Sequence, residues 1–220
     1  GTSSSPFVGY FDGGGYTITG EMHAGSTNLI GFFGYNAGTI SNLKNAAEVK
    51  DCRTLMPASI EYSAIGSIAG YSTGKIIHCE NSGNVTAKNI TTDTYTGGIC
   101  GYQYYETLTF IAGCKNSGDV TGVDDDDDAT GGIVGRNVGY IVACLNTGNA
   151  GDRGILGDGD NCLFGCCTTQ GYIGSTDVDG EFIYACYTFD VKYAGKDEYK
   201  DEYVDYSVRE RVENIVGPWD

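Results

Sequence analysis

The chain has 220 residues, 40% of them hydrophobic, and it contains 35 glycines, 17 tyrosines, 9 cysteines and only 3 prolines. This length and hydrophobic content suffice for a folded core, and the composition fits neither a flexible Gly/Ser linker nor collagen. The formal net charge of −16 repels phosphate backbones and anionic lipids, and no apolar stretch approaches the about 20 residues that cross a bilayer. We therefore expect no nucleic-acid partner and no transmembrane segment.

The first predicted element is a glycine-rich lead-in. Residues 7–20 are interpreted as a short hairpin-like segment that turns at Gly13, Gly14 and Gly15. Such a segment would cover the first open edge of a β-sheet.

A Gly-apolar-apolar-Gly block then recurs along the chain, once with serine in place of the first glycine. The copies are residues 31–34, 67–70, 98–101, 132–135, 154–157 and 171–174. The last glycines of the first four copies are separated by 36, 31 and 34 residues, a spacing too irregular for a helical solenoid. Loops of variable length inserted between the copies explain this spacing.

Each block is followed by a second signal, an aliphatic residue three positions before a Cys or Leu. These pairs are Ile40 and Leu43, Ile76 and Cys79, Ile111 and Cys114, Ile141 and Cys144, Leu163 and Cys166, and Ile183 and Cys186. An Asn or Thr comes two residues later, at Asn45, Asn81, Asn116, Asn146, Thr168 and Thr188. Gly and β-branched residues dominate every repeat, which disfavours helices. The pattern predicts an all-β fold, a right-handed parallel β-helix of about six coils with three short strands per coil.

Equivalent residues of successive coils lie about 4.8 Å apart in such a stack, so each repeat position becomes a ladder. We expect one continuous core that contains Ile68, Ile76, Ile99, Ile111, Ile133 and Ile141. Cys79, Cys114 and Cys144 should be reduced neighbours, because this spacing exceeds the Cβ separation of about 3.8 Å that a disulfide prefers. The ladder extends to Cys166 and Cys186, and the asparagines form a hydrogen-bonded ladder at a turn. The number of cysteines leaves the pairing of the others open.

The C-terminal part differs from the repeats. Residues 190–206 are charged and rich in tyrosine, and Ser207 and Glu210 form a capping box that predicts a short helix ending before Gly217. We therefore divide the chain into a β-helix repeat domain, 1–189, and a charged tail with a capping helix, 190–220.

Three segments of this sequence resemble the GLUG-motif repeats of bacterial surface proteins, which occur in adhesin-like proteins and beside immunoglobulin A peptidases. The segments are Thr130 to Gly135, the Ile-x-x-Cys-x-Asn-x-Gly run from Ile141 to Gly148, and the opening Phe11 to Ile18. The resemblance covers about residues 7–188. It implies export and a location at the bacterial cell surface, and it implies no reaction.

The acidic residues and the two histidines are the candidates for catalysis or metal binding. The acidic clusters at 124–128, 158–160 and 177–181 contain almost no cations to complete an acid/base pair, so solvated loops are the favoured interpretation. His78 adjoins Cys79, but neighbours in a strand point to opposite faces, which argues against a Cys-His nucleophile. Whether the acidic run binds calcium stays open. We assign no catalytic residue, no metal site and no cofactor.

Tyrosines give a better indication of function. Tyr35, Tyr71 and Tyr102 each follow the last glycine of a block, with Arg136 at the next equivalent position, either as ordinary stacking on a sheet or as a recognition platform. The insertions at 46–63, 86–95 and 121–130 follow the same strand of their coils and should project from one side. The candidate binding surface on this side comprises Tyr95, Tyr104, Tyr105, Asp124, Asp125, Asp126, Asp127 and Asp128.

The leading hypothesis is a non-catalytic binding or adhesion module, secreted or at the bacterial cell surface, whose partner is a host glycan or a host or bacterial surface protein. A carbohydrate-active enzyme, a polysaccharide lyase or hydrolase, is the alternative, and it requires carboxylates from at least two coils in one groove. An accessory domain of a surface peptidase and a simple spacer are further alternatives. We expect a monomer.

Overall fold

The computed structural model describes residues 1–23, 27–51, 61–88, 93–104, 109–123, 128–150 and 154–159, and the backbone of strands at 163–165, 168–169, 182–184 and 187–188. Over these ranges the chain is all β-strand with no helix, and every ladder between strands is parallel. The expected parallel β-solenoid architecture is thereby confirmed.

Five parallel sheets run along the stack, and we label them A to E in the order in which the chain passes through them from Phe33 onward. Sheet A contains Phe33–Asn36, Ala69–Ser72, Cys100–Gln103, Val134–Asn137 and Leu156–Gly159. Sheet B contains Tyr10–Asp12, Thr39–Ser41, Lys75–Ile77, Phe110–Ala112, Tyr140–Val142, Leu163–Gly165 and Phe182–Tyr184. Sheet C contains Thr17–Ile18, Lys44–Asn45, Glu80–Asn81, Lys115–Asn116, Leu145–Asn146, Thr168–Thr169 and Tyr187–Thr188. Sheet D contains Glu21–His23, Glu48–Lys50, Val85–Thr86 and Val120–Thr121, and sheet E contains Leu29–Ile30, Tyr62–Gly66, Asp93–Gly97 and Ala129–Gly131.

A complete coil therefore has five strands, and the prediction of three strands per coil is wrong. The first four Gly-apolar-apolar-Gly blocks mark the places where the chain leaves sheet E and enters sheet A, so each of these blocks joins two strands. A Cβ atom at Gly70 would lie 2.6 Å from the backbone nitrogen of Ile30 and 2.9 Å from the carbonyl oxygen of Ala64. Glycine is required there because the backbones of sheets A and E pack directly against each other.

The lead-in is also not a hairpin. Tyr10–Asp12 pairs in parallel with Thr39–Ser41, and Thr17–Ile18 pairs in parallel with Lys44–Asn45, so the two strands belong to different sheets. Gly14 and Gly15 adopt positive φ, and the Asp12 carboxylate accepts a hydrogen bond from the Gly14 N–H at 2.9 Å. This turn forms a corner of the solenoid, because it carries the chain from sheet B to sheet C instead of reversing it.

Sheets A, B and C enclose the main hydrophobic core. The six predicted core isoleucines, Ile68, Ile76, Ile99, Ile111, Ile133 and Ile141, are completely buried in one cluster, which confirms this prediction. Cys79, Cys100, Cys114 and Cys144 line the same core as reduced thiols, as expected for the three that were predicted. The Cys114 thiol lies 3.6 Å from the carbonyl oxygen of Ile76 in the preceding coil, a weak S–H hydrogen bond.

A second, smaller core lies between sheets D and E. It contains Ile30, Ile65, Val49, Val85 and Val120, which form a hydrophobic cluster separate from the main one. The single interior expected from the sequence is therefore divided into two lobes.

The asparagine ladder is confirmed. The Asn45 side-chain amide donates to the Asn81 side-chain oxygen at 3.0 Å, Asn81 donates to Asn116 at 2.7 Å, and Asn116 donates to Asn146 at 2.9 Å. All four side chains are buried. A Cβ atom at Gly98 or Gly132 would collide with Asn116 or Asn146, so these glycines keep space for the ladder.

The register of the fifth repeat differs by one residue from the expected one. Phe164, not Leu163, pairs with Ile141, and Thr169, not Thr168, pairs with Asn146. Ile183 pairs with Phe164, and Thr188 pairs with Thr169, so the sixth repeat follows the predicted alignment. The ladder positions expected at Cys166 and Cys186, the block at 171–174 and the predicted helix after Ser207 lie outside the described residues.

Candidate functional site

A row of aromatic side chains follows the outer face of sheet A. Tyr35, Tyr71 and Tyr102 are paired in register on adjacent strands, and the same column continues through Arg136 to Asp158. The ring centroids of Tyr35 and Tyr71 are 4.8 Å apart and those of Tyr71 and Tyr102 are 5.2 Å apart, each pair nearly perpendicular. These are the edge-to-face contacts that aromatic quadrupoles favour. We call these five residues the outer column.

Two tyrosines from sheet E pack beside the outer column. The Tyr62 ring lies 6.2 Å from Tyr71 and 5.5 Å from Tyr102, and the Tyr95 ring lies 5.2 Å from Tyr102. The close approach of sheets A and E brings these rings together. Tyr95 pairs with Ala64 on one side and Ala129 on the other, and these small side chains leave room for its ring.

Tyr104 completes the group at the end of its sheet A strand, with its ring 6.0 Å from Tyr102. We use the name tyrosine cluster for Tyr35, Tyr62, Tyr71, Tyr95, Tyr102 and Tyr104. Tyr104 is 43% exposed, Tyr95 is 4% exposed and the other four are of intermediate exposure. The cluster is therefore a half-buried aromatic surface.

Arg136 is held at one end of this surface by aromatic and acidic neighbours. One guanidinium N–H donates to the Tyr95 hydroxyl at 2.8 Å, and the guanidinium carbon lies 5.3 Å from the Tyr95 ring centroid and 5.7 Å from that of Tyr102. Both separations allow cation–π attraction. The Nε atom lies 3.4 Å from a carboxylate oxygen of Asp158, so the positive charge is balanced within the column.

The phenol groups of Tyr62, Tyr95 and Tyr102 are neutral at physiological pH. Burial raises the pKa of Tyr62 and of Tyr95, and it raises the pKa of Tyr102 to about 12. Burial disfavours the charged phenolate, and this outweighs the lowering of the Tyr95 pKa by Arg136. The hydroxyls are therefore hydrogen-bond donors and acceptors, not bases.

The predicted binding-surface residues have different positions. Tyr95 and Tyr104 both belong to the cluster. Tyr95 is buried and its ring packs against those of Tyr62 and Tyr102, so it exposes little surface to a ligand. Asp128 is half-buried and its carboxylate accepts a hydrogen bond from the backbone N–H of Thr94. Tyr105 and Asp124, Asp125, Asp126 and Asp127 lie outside the described residues.

The insertions are placed consistently in the fold. Strands of sheet D end at Lys50, Thr86 and Thr121, and the next strands of sheet E begin at Tyr62, Asp93 and Ala129. Each insertion therefore connects sheet D to sheet E, in agreement with the prediction that they follow the same strand. Tyr62 and Asp93 are the first residues of their strands, so these connections enter directly at the tyrosine cluster.

Tyr62 and Asp158 were not singled out as site residues from the sequence. Asp158 follows Gly157 just as Tyr35, Tyr71 and Tyr102 follow their block glycines, so the repeat alignment contained the signal for it. Tyr62 has no equivalent tyrosine at its own register position, which Asp93 occupies in the next coil. Its place in the cluster follows from the packing of two sheets and has no sequence signal.

The histidines and acidic residues do not assemble into a metal site in the part of the chain that the structure describes. The His23 ring nitrogen lies 2.8 Å from a Glu21 carboxylate oxygen at an exposed position, and the exposed His78 covers Gly113.

The described ranges contain no helix that is long and apolar enough to cross a membrane. Comparisons with family models, curated proteins and solved structures found no match to this chain.

Proposed function

We propose that this protein is a non-catalytic binding module in which a rigid β-solenoid presents the tyrosine cluster and the adjoining loops to a glycan or a surface protein. The observation that carries the proposal is the clustering of six tyrosines from sheets A and E, one of which, Tyr62, is the first residue after a sheet D to sheet E connection. Tyrosines are enriched at recognition surfaces because a rigid ring offers a large contact area at low entropic cost, and the hydroxyl adds a polar contact.

The fold supports this role by holding the rings in place. The outer column is attached to five consecutive hydrogen-bonded strands, and block glycines lock sheet A against sheet E. A preorganised surface loses little conformational entropy when it binds, so even modest contacts contribute to affinity.

The proposal is tested by incubating the labelled protein on glycan and host-protein microarrays, and in parallel with a panel of polysaccharides assayed for new reducing ends and unsaturated sugars. We expect saturable binding to at least one partner without degradation of any polymer. Turnover of a polysaccharide that is abolished by Asp93→Asn or Asp158→Asn would contradict the proposal.

The alternative, a polysaccharide lyase or hydrolase, receives less support from the same residues. Asp158 is paired with Arg136, and the Asp93 carboxylate accepts a hydrogen bond from the Tyr95 hydroxyl at 3.4 Å. A tyrosine that acts as a base needs a lowered pKa, whereas burial raises that of Tyr95. The interpretation as a simple spacer predicts no saturable binding at the cluster, whereas an accessory domain of a surface peptidase is distinguished by the peptidase domain beside it.

The proposal also covers the family, cellular location, oligomeric state and handedness of the module. We place the module among the GLUG-motif repeat proteins of bacteria, secreted or at the cell surface and monomeric, on the motif resemblance alone. The solenoid is proposed to be right-handed, with about six coils and a short C-terminal helix that covers its last edge, since a terminal repeat must protect open strands.

A further inference from the structure

We infer that the tyrosine cluster binds a neutral, linear glycan whose chain lies parallel to the solenoid axis across Tyr35, Tyr71 and Tyr102. This inference rests on the proposed binding function and specifies its ligand class. Three observations carry it: the direction of the outer column, the carboxylate hydrogen-bond acceptors beside the rings, and the pairing of the column's cation with a carboxylate.

The direction follows from the register. Three rings at equivalent positions on adjacent strands make a row that runs along the stack and spans about 10 Å, two steps of the inter-strand spacing. An extended chain contacts all three rings only if it runs along this row. The apolar C–H faces of sugar rings are attracted to the negative faces of aromatic rings.

The edges of the surface favour a ligand that offers many hydrogen-bond donors. Asp158 supplies carboxylate oxygens next to Arg136, and Asp93 supplies them next to the Tyr95 hydroxyl. Carboxylates only accept hydrogen bonds, and sugar hydroxyls can donate to them. A proline-rich peptide, the other extended ligand of aromatic grooves, has few N–H donors, so it would add few hydrogen bonds to these carboxylates.

The charge of the surface disfavours anionic polymers. Arg136 is the cation of the outer column, and its guanidinium already forms an ion pair with Asp158 and a hydrogen bond to the Tyr95 hydroxyl. The phenols of Tyr62 and Tyr102 are neutral, and the protein as a whole carries a formal charge of −16. Uronate polymers and single-stranded nucleic acids would stack on the rings only against electrostatic repulsion.

Affinity gel electrophoresis tests the inference with hydroxyethylcellulose, mannan and xylan as neutral probes and polygalacturonate as the acidic probe. We expect retardation by at least one neutral polymer and none by polygalacturonate. Because no ion pairs are formed, the dissociation constant should change less than about twofold between 0.05 and 0.5 M NaCl.

Variants locate the site. Tyr71→Ala should weaken glycan binding at least about tenfold. Tyr71→Phe keeps the aromatic ring and should bind within a few-fold of the unmodified protein, because stacking of a sugar depends on the ring face. Tyr104→Ala removes an exposed ring at the edge of the cluster and provides a readout if Tyr71→Ala does not fold. Tyr16→Ala is the matched control, because Tyr16 is 81% exposed and lies outside the cluster.

The outcomes separate the inference from the function on which it rests. Neutral-glycan binding that is lost in Tyr71→Ala or Tyr104→Ala and kept in Tyr16→Ala supports the inference. Binding only to polygalacturonate, to a proline-rich peptide or to a protein on the array overturns it and leaves the binding module standing. Absence of binding to every glycan and every protein overturns both.

Discussion

At the scale of single residues, the buried asparagines have the most closely defined surroundings. Each side-chain amide donates to the carbonyl oxygen two residues ahead, at 2.7 Å from Asn81 to Gly83 and 2.8 Å from Asn116 to Gly118. Asn45, Asn81 and Asn116 each also donate to the side-chain oxygen of the asparagine in the next coil, and Asn146 donates to the carbonyl oxygen of Gly154. A buried polar group is tolerated only when its hydrogen bonds are made, so the ladder fixes both the turn and the register of successive coils.

Replacing one member of this ladder should be costly. Asn81→Ala removes the acceptor of the Asn45 amide and the donor to the Asn116 oxygen, and it leaves both buried groups without these partners. We expect the free energy of unfolding in urea to fall by about 2–4 kcal/mol.

Asn84→Ala is the control for this measurement. Asn84 is exposed and accepts one hydrogen bond from the Asp119 N–H at 3.0 Å, so its loss should cost less than about 1 kcal/mol. Equal losses in the two variants would mean that the ladder contributes no more than a surface contact.

Tyr102 gives the fold a dependence on alkaline pH. Burial raises its pKa to about 12, whereas the phenol of an unfolded chain titrates near pH 10. Below about pH 10 both states are neutral and the full stability is present; between about pH 10 and 12 only the unfolded chain ionises, so stability is lost as the pH rises.

Urea unfolding of the unmodified protein and of Tyr102→Phe at about pH 8, 10 and 11 measures this effect. The unmodified protein should lose stability more steeply with pH than the variant, because phenylalanine cannot ionise. Parallel losses in the two proteins would show that Tyr102 titrates alike in the folded and unfolded states.

At the scale of elements, the sequence predicts the features that occupy a fixed repeat position, and it does not predict those that depend on how the sheets pack against each other. The core isoleucines, the reduced cysteines and the asparagine ladder were predictable because each occupies a fixed place in the repeat. The five-strand coil was not, since strands as short as Glu80–Asn81 are recognisable only from their neighbours in the stack. The register of Phe164 was missed because a Cys-Cys pair at 166–167 allows two alignments.

The residues of the candidate site also fall into a group that the repeat predicts and a group that depends on packing between sheets. Tyr35, Tyr71, Tyr102 and Arg136 form a column that the repeat position alone predicts. The contribution of Tyr62 and the burial of Tyr95 depend on the distance between sheets A and E, which block glycines such as Gly101 and Gly135 set. The sequence shows these glycines but not which backbone lies against them.

Gly132 tests how tightly these elements pack. A Cβ atom there would collide with the Asn146 side chain and with the carbonyl oxygen of Gly154, both in the interior. Gly132→Ala should therefore destabilise the protein by more than about 3 kcal/mol or prevent folding, since close-packed backbone cannot move aside.

Gly9→Ala is the matched control for thermal and urea unfolding. The nearest atoms to a Cβ at the exposed Gly9 are those of the Phe7 ring at 3.3 and 3.4 Å, which a side chain can relieve by a small rotation. Its stability should stay within about 1 kcal/mol of the unmodified protein. If Gly132→Ala were as stable as Gly9→Ala, the sheets could not be packed as closely as described.

At the scale of the whole molecule, the solenoid is a one-dimensional stack in which each level depends on its neighbours. The two longest sheets have seven strands each, and the strands at Tyr10–Asp12 and Thr17–Ile18 are at one end, paired on one side only. This end also exposes Val8 and Tyr10, at 74% and 68%. Strands at Lys75–Ile77 and Glu80–Asn81 have neighbours on both sides and a fully buried core.

Native-state hydrogen exchange should therefore vary along the axis. Stability in repeat proteins is the sum of local terms and nearest-neighbour terms, so an end level with one neighbour opens more easily than a central level with two. We expect amides in peptides from residues 7–23 to exchange at least about tenfold faster than those from residues 68–86, as measured by mass spectrometry. Rates measured on the unfolded chain correct for intrinsic differences between the peptides. Equal protection of both regions would instead indicate a single cooperative unit, in which the first level opens only when the whole solenoid unfolds.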